Sequence, residues 1–113
     1  MTRQDILALC TSFENSVSDQ PFADEHIVVR HAGSKKWFAL IFTRDGKLCV
    51  NLKCDPQKAC FWRGVYRAVT PAWHMNKTHW NTVELDAGVP REDLMEMVAD
   101  SFHLTAPKKR GNK

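Results

Sequence analysis

The chain has 113 residues, 43% hydrophobic and 26% charged, with a formal net charge of +3. That size and composition fit one folded domain with its own core, and they exclude a disordered chain, a collagen-like repeat and a coiled coil. No apolar run approaches the ~20 residues that cross a bilayer, and MTRQDILALC lacks a signal peptide's apolar stretch, so a soluble, cytoplasmic protein is expected.

In chain order, the pattern predicts a helix over 2–17. Thr2 is its N-cap, Asp5 stands in a capping-box position, and Ile6, Leu9, Cys10, Phe13 and Val17 form one apolar stripe. Residues 18–24, with Pro21, end it. The β-branched run 26–31 predicts a strand, and Ala32-Gly33-Ser34-Lys35 a turn.

Residues 36–53 predict a hairpin around Arg44-Asp45-Gly46. Phe38, Leu40 and Phe42 alternate on one strand; Leu48, Val50 and Leu52 alternate on the other. A three-residue loop pairs Phe42 with Leu48, Leu40 with Val50 and Phe38 with Leu52, which gathers six large apolar side chains on one face. Trp37, Ala39, Ile41, Cys49, Asn51 and Lys53 then fall on the opposite, polar-leaning face.

Asp55-Pro56 reads as a helix start, with Gly64 as its end. A strand-like stretch precedes Trp73. Residues 80–85 predict the last strand, with Val83 and Leu85 on one side and Trp80, Thr82 and Glu84 on the other. Pro90 opens a final helix whose buried stripe is Leu94, Met97, Val98 and Phe102. The order helix, three strands, helix, two strands, helix predicts a two-layer α+β domain over residues 1–107: a five-stranded antiparallel sheet with helices packed on one face. Residues 108–113 are expected to form a disordered basic tail.

Cys10, Cys49, Cys54 and Cys60 show no Cys-x2-4-Cys pair, so free thiols are expected, with no metal and no cofactor. His74 and His79 are five apart and lack the spacing of a helical metal pair. With no nucleophile or cofactor motif either, no catalytic residue is assigned and the chain is read as a non-enzyme.

Charge is unevenly placed. Residues 35–82 carry nine basic and two acidic side chains, whereas 1–34 carry two basic and five acidic, and 83–107 one basic and six acidic. Trp37, Trp73 and Trp80 are interleaved with the central lysines. If Trp37, Asn51, Lys53, Trp80 and Thr82 share the open sheet face, they form a basic, aromatic surface.

Two stretches, Asn51-Leu-Lys-Cys-Asp-Pro56 and His74-Met-Asn-Lys-Thr-His-Trp-Asn-Thr-Val83, together with Trp37-Phe-Ala-Leu40 and the Pro-opened final helix, resemble the MmcQ/YjbR family of small bacterial proteins. The chain departs from that pattern at Ala72-Trp73, where many relatives carry Gly-Tyr. The resemblance implies a compact domain with a curved antiparallel sheet and, by likeness to a double-wing module, DNA binding. The residues expected at such an interface are Lys35, Lys36, Trp37, Asn51, Lys53, His74, Asn76, Lys77, His79, Trp80 and Asn81. Lysines there would neutralise phosphates, tryptophans would stack on bases, and Asn51, Asn76 and Asn81 would read base edges. The alternative is a protein- or small acidic ligand-binding module with a pocket around Lys53, His74, Lys77 and Trp80. Neither reading involves a membrane.

Overall fold

The computed structural model describes residues 1–20, 26–73 and 75–107. His74 and the basic tail therefore lie outside the described residues. The elements run α1 (Arg3–Thr11), β1 (Ser16–Asp19), β2 (Ile27–His31), β3 (Trp37–Arg44), β4 (Lys47–Lys53), α2 (Pro56–Val65), β5 (Val69–Pro71), β6 (Trp80–Glu84) and α3 (Arg91–Thr105). The six strands form one antiparallel sheet in the order β1-β2-β3-β4-β6-β5.

The helix starts are local chemistry. Thr2 accepts the Asp5 backbone N–H while the Asp5 carboxylate accepts the Thr2 N–H, a complete capping box. Asp55 accepts the N–H groups of Gln57 and Lys58, and Pro56 takes the first helical position. The buried residues of all three helices share one core with one face of the sheet. Ile6, Leu9, Cys10, Ala59, Trp62, Leu94, Met97 and Val98 meet Ile27, Val29, Ala39, Ile41, Val50, Leu52 and Val83 there. Lys58 bridges α2 to α3 through Glu96 at 2.6 Å and Asp100 at 2.8 Å.

Two expectations are corrected. First, α1 stops at Thr11 rather than continuing to residue 17. The Ser12 hydroxyl donates to the Leu9 carbonyl and the Ser16 hydroxyl to the Phe13 carbonyl, which turns the chain. The segment expected to finish the helix forms β1 instead, a sixth strand at the sheet edge, with Val17 exposed.

Second, the hairpin closes with two residues, not three. Arg44 pairs with Lys47, Phe42 with Cys49 and Ile41 with Val50. Asp45 (φ 53°) and Gly46 (φ 76°) both lie in the left-handed region, as a type I′ turn requires; its twist matches that of the flanking strands. The three-residue loop rested on burial of a single face. In the structure both faces are covered: Ala39, Ile41, Val50 and Leu52 meet the helices, while Leu40, Phe42 and Cys49 join Val28 in a second apolar cluster on the other side.

His31, the last residue of β2, is buried. It is 4% exposed, and its Nε2 lies 2.8 Å from the Thr105 hydroxyl.

Candidate nucleic-acid interface

The helix-free face of the sheet is neither bare nor uniformly polar. Trp37 and Trp73 pack on the Val28, Leu40, Phe42 and Cys49 cluster. Parity alone would turn Trp37 to the helix side with Ala39 and Ile41. A bulge intervenes: Val29 pairs with Ala39 but Arg30 pairs with Trp37. The additional residue, Phe38, enters the helix-side core, and Trp37 is left against the second cluster.

The segment after β5 folds back over this face. The Trp73 ring stacks on Phe42 at 5.1 Å, and the Arg44 guanidinium lies 5.5 Å from the Trp73 ring centre. A closed polar circuit fixes Trp73. Its N–H donates to Thr82 Oγ1 at 2.9 Å, the Thr82 hydroxyl donates to Asn51 Oδ1, and Asn51 Nδ2 donates to the Trp73 carbonyl at 2.8 Å.

This circuit overturns the expected exposure of Asn51 and Thr82. Both are buried, with Asn51 fully so. Asn81 is buried too, and on the helix side: its Nδ2 donates to the Ala59 carbonyl and its Oδ1 accepts from Arg63 Nε at 2.7 Å. Neither amide has a free edge to offer a base. Asn76 is exposed, but its Oδ1 accepts the N–H groups of Thr78 and His79, capping the turn into β6.

Most of the other expected residues meet at one end of the sheet. Antiparallel pairing brings the start of β3, the end of β4 and the start of β6 together there. Lys53 stands opposite Trp80 in the β4–β6 register, two positions beyond the Asn51–Thr82 pair and on the same face. Trp37, Lys53 and Trp80 are each half-buried. Lys35 and Lys36 are exposed in the β2–β3 turn, and Lys77 and His79 in the turn before β6. With strands ~4.8 Å apart, the row from β2 to β6 is ~14 Å wide. Lys77 is partly drawn in, since its Nζ donates to the Ala72 carbonyl at 2.8 Å. Among the described residues no carboxylate is within ion-pair distance of Lys35, Lys36, Lys53 or Lys77.

At the opposite end of the same face a shallow cleft of about 220 Å³ has Arg44, Lys47, Arg67 and Thr70 in its walls. Sequence reasoning did not single these residues out. The two-residue turn, which sets Arg44 directly against Lys47, is the signal that would have paired two of them.

These features define a two-layer α+β domain with helices on one side of a six-stranded sheet and a cationic, tryptophan-bearing surface on the other. The chain belongs to the YjbR family, whose sequence profile matches residues 11–104. It is similar to the uncharacterised protein YyaQ of Bacillus subtilis, at 28% identity over 93% of this chain and 98% of that one. The uncharacterised Escherichia coli protein YbdF is 34% identical over 74% of this chain and 67% of its own length. Among solved structures, a Pseudomonas syringae protein superposes with a TM-score of 0.86 at 27% identity, covering 94% of this chain and all of that chain. A Deinococcus radiodurans protein does so at 0.80 and 34% identity, covering 91% and 77%.

Proposed function

We propose that this protein is a cytoplasmic, non-enzymatic DNA-binding domain that uses the helix-free sheet face. The observation carrying this reading is the grouping of Trp37, Lys53 and Trp80 on one face at one sheet end, rimmed by Lys35, Lys36, Lys77 and His79. Indole rings held half-buried keep one surface for stacking, worth ~1–3 kcal/mol per base. Ammonium groups without carboxylate partners remain available for phosphates. The acidic residues Glu92, Asp93, Glu96 and Asp100 lie on α3, in the other layer, where they repel a polyanion and favour approach by the sheet face. Because Asn51 and Asn81 are buried, this surface binds through stacking and phosphate contacts, without amide readout of base edges.

The test is fluorescence anisotropy with labelled single- and double-stranded oligonucleotides at ~50 mM salt. Expected are micromolar binding that weakens steadily with added salt, quenching of tryptophan emission, and loss of affinity in Lys53→Gln and Trp80→Ala. No binding to either nucleic acid at tens of micromolar protein would overturn the proposal. Binding that ignores polymer length would favour a small acidic ligand instead.

A further inference from the structure

The cleft at the hairpin end has no assigned role. Arg44 reaches it from the end of β3, Lys47 from the start of β4, and Arg67 from the connection between α2 and β5. The Arg44 guanidinium is braced by the Trp73 ring, so the fork is held with little rotamer freedom to lose on binding. Among the described residues, neither Arg44 nor Arg67 has a carboxylate within ion-pair distance. Lys47 has one, Glu84, at the outer limit of 3.9 Å. Asp45 and Glu84 also line the cleft, so three cations face two carboxylates and the formal sum is +1.

We infer that this cleft is a phosphodiester site, holding one backbone phosphate of the strand whose bases meet Trp37 and Trp80. The inference rests on the DNA-binding reading and extends it along the same face. Two guanidinium forks with no carboxylate of their own suit phosphate oxygens better than they suit solvent alone. The small net charge matches the single charge of a diester, and Asp45 and Glu84 disfavour a free phosphate dianion. A volume of about 220 Å³ is small for a drug-sized ligand but ample for one phosphate group and its water.

Geometry sets the strand length. Lys47 and Lys53 are six residues apart on β4, ~20 Å along the strand. A stacked polynucleotide rises ~3.4 Å per nucleotide, so ~6 nucleotides bridge the cleft and the tryptophan end.

The experiment titrates the full chain with a 12-mer oligothymidine lacking terminal phosphates, and separately with inorganic phosphate. Binding is read from the arginine Nε–H and tryptophan indole signals in nitrogen–proton spectra. The 12-mer is expected to move the Arg44, Arg67 and Trp80 signals together, and inorganic phosphate to move the arginine signals less at equal concentration. Arg67→Gln removes an exposed side chain with no hydrogen-bond partner in the described structure, so its urea midpoint should match the wild type. Its 12-mer affinity should fall ~3–10-fold and the logarithmic salt slope should shrink by ~0.7. Indole signals that move while Arg44 and Arg67 stay silent would overturn the phosphate site and leave the DNA-binding reading standing. Silence of both sets would overturn both. Inorganic phosphate moving the arginines more than the 12-mer does would overturn the diester assignment.

Discussion

Asn51 Nδ2 donates to the carbonyl of Trp73 at 2.8 Å, tying the middle of β4 to a segment 22 residues further along the chain. With Thr82 the two close a circuit in which every donor has an acceptor. The circuit decides the character of the helix-free face, because it is what keeps Trp73 on Phe42 and Arg44 over Trp73. Without it, the second apolar cluster would lose its cover.

Asn51→Ala removes two of the three links, the bond from the Asn51 amide to the Trp73 carbonyl and the bond it accepts from the Thr82 hydroxyl. Each lost bond costs ~1–2 kcal/mol in this setting. A loss of ~2–4 kcal/mol in urea denaturation is expected, with a red-shifted Trp emission as Trp73 becomes wetter. A loss below ~0.5 kcal/mol would mean the circuit contributes no net stability.

Gly46 isolates the conformational cost of the hairpin turn. Its φ is 76°, and a Cβ added there meets nothing within 4 Å. Gly46→Ala therefore acts through backbone strain alone, ~1–2 kcal/mol. The check is the denaturation midpoint, with the strand amide spectrum unchanged. An unaltered midpoint would show that the turn relaxes out of the left-handed region at no cost.

Stability should depend on pH through His31. Burial holds its imidazole below the ordinary 6.5, aided by the charge of Lys36 and opposed by the Phe102 carbonyl. Its ring is enclosed by Phe38 at 5.2 Å and Phe102 at 4.7 Å. Above 6.5 both folded and unfolded chains carry it neutral, and its contribution is complete. As pH falls below 6.5 the unfolded chain takes up a proton first, so stability declines until the folded value is passed, by at most ~1.4 kcal/mol per pH unit. Urea midpoints at about pH 7.5 and about pH 5.5 should fall further apart for the wild type than for His31→Phe. Equal separation in the two proteins would remove His31 as the cause.

The four cysteines are free, and only Cys60 is exposed. Burial pushes the Cys10 thiol up to about 12 and Cys54 up to about 11, and also raises Cys49. Because the thiolate is the nucleophile, one fast alkylation at Cys60 and three slow ones are expected near pH 8, read by peptide mass spectrometry. Rapid labelling of Cys10 in the native protein would contradict its packing on the buried face of α1.

Features governed by near neighbours were readable from the chain. Thr2 with Asp5, and Asp55 with Pro56, begin their helices where the pattern predicts, because each cap is completed within a few residues. Strand β1 was not readable. Its Ser-Val-Ser-Asp carries one apolar side chain, Val17, which points to solvent at an edge, so no burial period marks it. The hairpin alternation was visible, but pairing was inferred from one buried face when Trp37 and Trp73 in fact cover the other.

The same division applies to the candidate interface. The clustering of Lys35, Lys36, Lys53 and Trp80 follows from strand ends, which sequence locates well, whereas Trp37 shares their face only through the β2–β3 bulge. The burial of Asn51 and Asn81 does not, because their partners, Trp73 and Ala59, are 22 residues distant in each case.

The Asp45-Gly46 reversal has a consequence for how this hairpin can change. Neither strand beside it has an idle side, so slipping the pairing by one position would swing Asn51 in among the helix-facing aliphatics and send Val50 out beneath Trp73. The hairpin thus behaves as a ratchet with a single stop. A lone residue inserted within either strand would have to be absorbed as a bulge or matched by a second one for both sides to stay covered.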